Sequence, residues 1–218
     1  SAASDEYKRQ DVRELSRIGD LSSLRTLLRL TSLRTGQLLS PSQLGRDAKM
    51  SAATTSRHLS LFEASFLITR IQPYLGNRSS RLIKSPKLYL SDAGLASYLT
   101  GLEVSPSIRN DPIYGAILET YVAQNLLSIL RAIWQNASLY FWAVQGRHEV
   151  DFVIEAGQSC IALELKSAAR WQERDLSGLR AFLTATPHCK AGILCHNGEN
   201  AVQLGQKLWS LPISLVLP

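Results

Sequence analysis

Apolar residues recur at helical spacing through the first third of the chain. Asp5 to Ile18 is charged and amphipathic, and Asp20 is placed to cap a second helix carrying Leu21, Leu24, Leu28 and Leu33 on roughly one face. Ser40-Pro41-Ser42-Gln43 has the form of a capping box with proline at the first helical position, predicting a short helix to about Ala48. Ser51 opens another helix, in which Leu59, Phe62 and Phe66 recur toward a core. Leu67–Ile71 then reads as a strand stopped by Pro73, residues 76–80 as a turn, and Leu82-Ile83 with Lys87–Leu90 as the returning strand. Ser91 or Asp92 caps a short helix ending near Gly101.

Beyond residues 103–110, a linker where proline and serine cluster, the rhythm changes. Asp111-Pro112 starts a helix through Leu118, Val122, Leu126 and Ile129. Strands are predicted over Leu139–Val144, Glu149–Glu155 and Cys160–Lys166, with Gly146 and Gly157 in the turns. A helix over 174–184, a strand over Ala191–Cys195, a helix over Ala201–Trp209 and a last strand over Ile213–Leu217 complete the pattern. The fold class is therefore α+β or mixed: a helical leader and winged helix-turn-helix over residues 1–102, then an α/β domain with a mixed sheet over 103–218.

Charge divides along the same line. The 218 residues carry a net +6, with 45% hydrophobic and 19% charged residues, which excludes disordered, collagen-like and coiled-coil classes. Residues 1–100 hold 15 basic and 8 acidic side chains, and residues 101–218 hold 9 and 10, so the positive excess belongs to the first half. This asymmetry suggests that the first half binds nucleic acid, and its helix-turn-helix and wing pattern points to DNA as the partner. If Leu59, Phe62 and Phe66 face inward, Thr54, Arg57 and His58 face outward, where they suit phosphates and base edges. Arg78 and Arg81 would then sit at the tip of the hairpin wing, with Lys84 beside it. An ordinary helical bundle with a solvated basic surface, or a protein-docking winged helix, fits the same pattern.

Cys160, Cys189 and Cys195 form no CxxC pair, and six strand residues would hold the last two ~20 Å apart, so free buried thiols are expected and neither zinc nor a disulfide joins that pair. With no targeting core and no apolar run near the ~20 residues a span requires, the expected setting is reduced and cytoplasmic, without a membrane. Trp142 and Trp171 can stack on bases or pack in the core.

Strand alternation carries the candidate chemistry. Val150, Phe152 and Ile154 take one face of their strand, and Glu149, Asp151, Val153 and Glu155 the other. Ala162, Glu164 and Lys166 share a face of the next strand, so a tight Gly157 turn brings Asp151 near Glu164 and Lys166. Two carboxylates on one sheet face suit Mg²⁺, and Glu119 on the preceding helix offers a third. A Glu–Lys pair also bonds across strands with no catalysis at all.

Asp151 followed by Glu164-Leu165-Lys166, after a helix bearing Glu119, resembles the signature of the PD-(D/E)XK (restriction-endonuclease-like) nuclease superfamily. Gly115-Ala-Ile-Leu-Glu119, His148-Glu-Val-Asp-Phe-Val153, Leu163-Glu-Leu-Lys-Ser167, Lys84-Ser-Pro-Lys-Leu-Tyr89 and Asp92-Ala-Gly-Leu95 together resemble the C-terminal region of a bacterial and archaeal P-loop (AAA-type) ATPase family. That region is a winged helix with a nuclease-like domain of unknown function. The resemblance spans roughly residues 7–185 and implies Asp151 and Glu164 as ligands of Mg²⁺ or Mn²⁺, Lys166 as the catalytic lysine and Glu119 as the accessory acid. The proline of the signature is replaced by Val150. No Gly-x-x-x-x-Gly-Lys-Ser/Thr run occurs, so this chain has no ATP site, and the ATPase domain the resemblance implies would lie upstream in the full-length protein. Two functions are expected: a DNA-binding, metal-dependent deoxyribonuclease region of an ATPase, or an inactive DNA- or protein-docking module that regulates or targets that ATPase.

Overall fold

The computed structural model describes residues 21–76, 80–81, 84–103, 107–144 and 147–217. The expected helix at Asp5–Ile18, the Arg78 and Leu82-Ile83 part of the wing and the Gly146 turn lie outside them. The order is α1 (Leu21–Ser32), β1 (Gln37–Leu38), α2 (Pro41–Asp47), α3 (Ala52–Ala64), β2 (Ile68–Pro73), β3 (Lys87–Leu90) and α4 (Ala93–Thr100). After a 3₁₀ turn at Ile108–Asn110 come α5 (Tyr114–Ile133), β4 (Ala137–Val144), β5 (His148–Ala156) and β6 (Ser159–Lys166). A second 3₁₀ turn at Glu173–Leu176 precedes α6 (Ser177–Ala185), β7 (Cys189–His196), β8 (Val202–Gln203), β9 (Leu208–Pro212) and α7 (Ile213–Val216).

The result is a mixed α/β protein built on a large mixed sheet, in the order β1-β3-β2-β4-β5-β6-β7-β9-β8. β4, β5 and β6 run antiparallel, whereas β6, β7 and β9 run parallel. β2 pairs parallel with β4 through Gln72–Tyr140 and Pro73–Phe141, so the sheet passes from the first half of the chain into the second. The core crosses with it, since Ile71 and Tyr89 pack with Val122 and Leu126 of α5 and with Phe152 of β5. Among the described residues no helix is long and apolar enough to cross a membrane.

Local chemistry explains most starts and stops. Ser51 accepts the Thr54 amide at 3.1 Å, Asp92 accepts the Leu95 amide at 2.5 Å, and Gly101 ends α4 at φ 76°. The Ser40 capping box is not formed: proline leads the helix, but no side chain caps it. Phe66 is 82% exposed rather than core, because α3 closes at Ser65 and the chain leaves it through Phe66 at φ 57°. On α1 Leu27, Thr31 and Ser32 are buried, whereas Leu21, and Leu33 just beyond the helix, face solvent.

The C-terminal expectations at 201–209 and 213–217 are reversed. Leu208–Pro212 is a strand because it lines up with β7 from Gly192–Leu208 to His196–Pro212, burying alternate residues. Pro212 then leads the short helix α7 where a strand was expected.

Candidate active site

A bulge sets the site. β4 and β5 pair as Tyr140–Val153 and Trp142–Val150, which leaves Phe141 opposite both Asp151 and Phe152. The simple alternation expected for β5 is therefore broken. Val150 and Val153 pack on the α6 side, Phe152 and Ile154 on the α5 side, and Asp151 is aimed toward α5 as well. The β5–β6 ladder begins at Phe152–Leu163, so Asp151 lies just past its end, where its Oδ2 accepts the freed Leu165 amide at 2.8 Å. Gly178 seats the start of α6 on the same stretch, since a Cβ there would lie 2.0 Å from the Glu149 carbonyl oxygen.

Around Asp151 the chain gathers five further charged groups. Glu164 and Lys166 on β6 are joined at 2.8 Å, through Lys166 Nζ and Glu164 Oε1. Glu164 Oε2 is buried and has no hydrogen-bond partner. Burial, then the Asp151 charge, raises Glu164 to a pKa of about 8 despite Lys166. On the α5 side, Lys87 Nζ lies 2.5 Å from Glu149 Oε1, 3.1 Å from Glu119 Oε1 and 3.8 Å from Asp151 Oδ1. Tyr89, two residues along β3 and on the same face, donates its hydroxyl to Glu119 Oε1 at 2.5 Å.

Electrostatics follow from this crowding. Burial and then Asp151 push Glu119 up to about 7, against the pull of Lys87 and Tyr89. Burial pushes Asp151 above its ordinary range, with Lys87 and the Leu165 amide opposing. Burial works against both lysine ammonium groups, yet the carboxylates outweigh it and hold both above their usual value. The Cys195 thiol is raised to about 12, first by burial and then by Asp151 and Glu164.

Asp151, Glu164 and Lys166 thus stand together, and Glu119 approaches Asp151 from α5. Lys87, Tyr89 and Glu149 join the cluster with no motif of their own to mark them, although Lys87 and Tyr89 share a face of the returning strand directly after the basic segment. Gly36, at φ 77°, brings the chain before β1 onto Glu119, where a Cβ would lie 3.2 Å from Oε2. Among the described residues no three His, Cys, Asp or Glu side chains are grouped to hold a metal ion among themselves.

The nucleic-acid residues divide differently. Arg57 and Lys84 are exposed, and Thr54 is half-buried, its hydroxyl taken by Ser51. His58 was expected to face outward but is 7% exposed, and burial followed by Arg57 lowers its pKa. α3 turns His58 and Leu59 inward together, with Thr55 and Phe62. Arg81 is 5% exposed instead of sitting at a hairpin tip. It makes two bonds to Glu155 at 2.6 and 3.1 Å, donates to the Leu75 carbonyl at 2.7 Å and lies over the rings of Tyr74 and Tyr140. Arg46 and Lys49 are exposed around the turn between α2 and α3.

The three cysteines are free and buried, as expected. Cys160 and Cys189 face each other across β6 and β7, whereas Cys195 lies at the far end of β7. Trp142 meets Phe182 edge-to-face at 5.3 Å and Trp171 packs against the same core.

Comparison with known proteins finds two matching family models, each described as a domain of unknown function: DUF8612 over residues 1–105 and DUF4143 over residues 114–216. Two mycobacterial relatives, the uncharacterized proteins Rv2008c of Mycobacterium tuberculosis and Mb2031c of Mycobacterium bovis, are each 27% identical to this chain over 183 residues. The match covers 84% of this chain and 40% of each relative, so the chain aligns with less than half of either.

Proposed function

We propose that the chain is a nuclease-like, nucleic-acid-binding region that hydrolyses phosphodiesters with a divalent cation at Asp151 and Glu164. The observation that carries this reading is the buried, unpartnered Glu164 Oε2, which stands beside Lys166 and close enough to Asp151 to feel its charge. An orphaned carboxylate oxygen in such a place calls for a cation or a proton. Mg²⁺ is commonly held by one or two carboxylates while it keeps several waters, so the pair fits it without a third ligand. When bound, the ion polarises a phosphate oxygen and lowers the pKa of a water.

The remaining work belongs to the chain. Asp151 is held by the Leu165 amide, so its carboxylate direction is fixed before any ligand arrives. Lys166, part-buried and tethered to Glu164, is within one side chain of a phosphate held there and offers an ammonium to its developing charge. Glu119 faces Lys87 and Tyr89 and acts through them as a positioning residue.

Topology supports the same reading. The succession α5–β4–β5–β6–α6–β7, with the carboxylates where β5 and β6 part, matches what the PD-(D/E)XK resemblance implies. The succession α1–β1–α2–α3–β2–β3, with β1 and β2 flanking β3, has the form of a winged helix, whose exposed Arg46, Lys49 and Arg57 would meet DNA phosphates. An ATPase module elsewhere in a longer protein belongs to this proposal, and the mycobacterial relatives have the length to hold one. The rival reading, an inactive docking module, is favoured by Lys87, which already neutralises part of the acidic cluster from within.

Incubating the chain with linear and supercoiled DNA in Mg²⁺ or Mn²⁺ separates the two. The nuclease reading expects cutting that Glu164→Ala and Lys166→Ala abolish while DNA binding persists. Cutting that survives in both variants overturns the site assignment. A folded chain that binds DNA or protein without cutting, and takes up no divalent ion, is the docking module.

A further inference from the structure

α3 ends in a way that its sequence does not favour. The Phe66 amide donates to the Glu63 carbonyl at 3.0 Å and the Leu67 amide to the Phe62 carbonyl at 2.8 Å, the paired bonds of a Schellman closure. That closure holds Phe66 at φ 57°, a conformation that glycine adopts at least cost. Phenylalanine stands there instead and is 82% exposed, so packing inside the fold does little to offset the strain.

Phe66 lines a cavity of about 370 Å³ between the end of α3, β2 and α5, together with Thr69, Arg70, Gln124, Ser128 and Arg131. Its size suits a nucleotide. Two guanidinium groups line it against one carboxylate, Glu63. Arg70 Nε is buried and has no hydrogen-bond partner, although Glu63 Oε2 lies 3.2 Å away. Arg131 is exposed and pairs with no carboxylate among the described residues. A second cavity of about 360 Å³ shares Leu127 and Arg131 and carries the groove on to Gln135 and Ser138, so its reach exceeds a single nucleotide.

We propose that this groove binds an unpaired nucleic-acid strand, with one base stacked on Phe66 and the adjoining phosphates between Arg70 and Arg131. Stacking on a side chain needs a base free of its partner, and guanidinium groups pair with phosphate oxygens through two parallel bonds. The groove is separate from the exposed Arg46, Lys49 and Arg57, which lie around the first half of α3. Tyr89 joins it to the candidate active site, since that residue lines the cavity and donates its hydroxyl to Glu119. Ala123, one helical turn beyond Glu119, lines the cavity as well. The inference rests on the nucleic-acid reading of the chain, adds the class of strand, and needs no cleavage to be true.

The test is fluorescence anisotropy with labelled oligo-dT, oligo-U and a DNA duplex, with thermal unfolding measured alongside. Phe66→Gly removes the ring and relieves the backbone, so its unfolding temperature is expected to rise while its single-strand affinity falls about tenfold. Phe66→Trp should keep that affinity. Arg131→Gln should flatten the log–log salt slope for the single strand by ~0.7. Duplex affinity, carried by the winged-helix face, should stay the same in all three variants. The tighter of the two oligonucleotides identifies the strand as DNA or RNA. Duplex binding without single-strand binding overturns this proposal and leaves the nucleic-acid reading standing, whereas failure to bind any of the three overturns both. Single-strand affinity that survives intact in Phe66→Gly and Arg131→Gln overturns it as well.

Discussion

The carboxylate of Asp151 accepts the backbone amide of Leu165 at 2.8 Å, across the point where β5 and β6 part. The bulge opposite Phe141 is what aims Asp151 at this amide and at Lys87, so one backbone irregularity ties the strand ends to the charged cluster. Asp151→Asn retains an acceptor oxygen for the Leu165 amide, whereas Asp151→Ala strands that donor. The alanine variant should lose about 1–3 kcal/mol more stability than the asparagine variant, read from urea midpoints. Equal losses would show that the amide bond is immaterial.

Tyr89→Phe removes the hydroxyl that holds Glu119. The buried Glu119 oxygen keeps Lys87 but loses a donor, at a cost of about 1–3 kcal/mol. Since the Tyr89 bond lowers the Glu119 pKa, its removal should move that group's titration above about 7, visible in carboxyl carbon NMR shifts. A titration that moves downward would contradict the hydrogen-bond assignment.

Arg81 and Arg57 should separate cleanly. Arg81→Ala leaves Glu155 without its bidentate partner and should cost about 3–5 kcal/mol in denaturant unfolding. Arg57→Ala, at an exposed position, should change stability by no more than about 0.5 kcal/mol. Under the DNA-binding proposal it should instead weaken binding and flatten the log–log salt slope by ~0.9. A stable Arg81→Ala chain would mean that its buried network contributes little.

Stability should depend on pH in a direction set by Glu119 and Glu164. Both carboxyls carry folded-state values, about 7 and about 8, above their ordinary 4.5. Below pH 4.5 both are protonated folded or unfolded, and their contribution is complete. As pH rises toward 8 the folded chain holds protons that the unfolded chain has released, so this part of the stability is lost. Unfolding temperature should therefore fall more steeply across that window in the unaltered protein than in Glu164→Gln. Superimposable curves would contradict the burial assigned to Glu164.

Much of this was legible from spacing, and the failures share causes. The α5–β6 stretch was read closely because long apolar periodicity with glycine turns leaves few alternatives, and the meeting of Asp151, Glu164 and Lys166 followed from it. The bulge was not legible, since nothing in Val150-Asp151-Phe152-Val153 marks two consecutive residues facing one way. Lys87 was missed as a site residue because its partners are 32 or more positions away, and an isolated strand does not disclose what its neighbour presents. Residues 201–217 went wrong because pairing with β7 outweighed local preference, making Leu208–Pro212 a strand and leaving α7 to turn the chain away. His58 and Arg81 were drawn inward by burial and by Glu155, where basic residues in a basic segment had suggested solvent.

Whether Asp151 and Glu164 hold a divalent cation is decided by calorimetric titration of Mg²⁺ into the unaltered chain and into Glu164→Gln. A saturable, enthalpically detectable ion is expected in the first and its loss in the second, both proteins remaining folded. An unaltered chain that takes up no ion, or a variant that binds it equally well, would contradict the placement of a catalytic cation at Asp151 and Glu164.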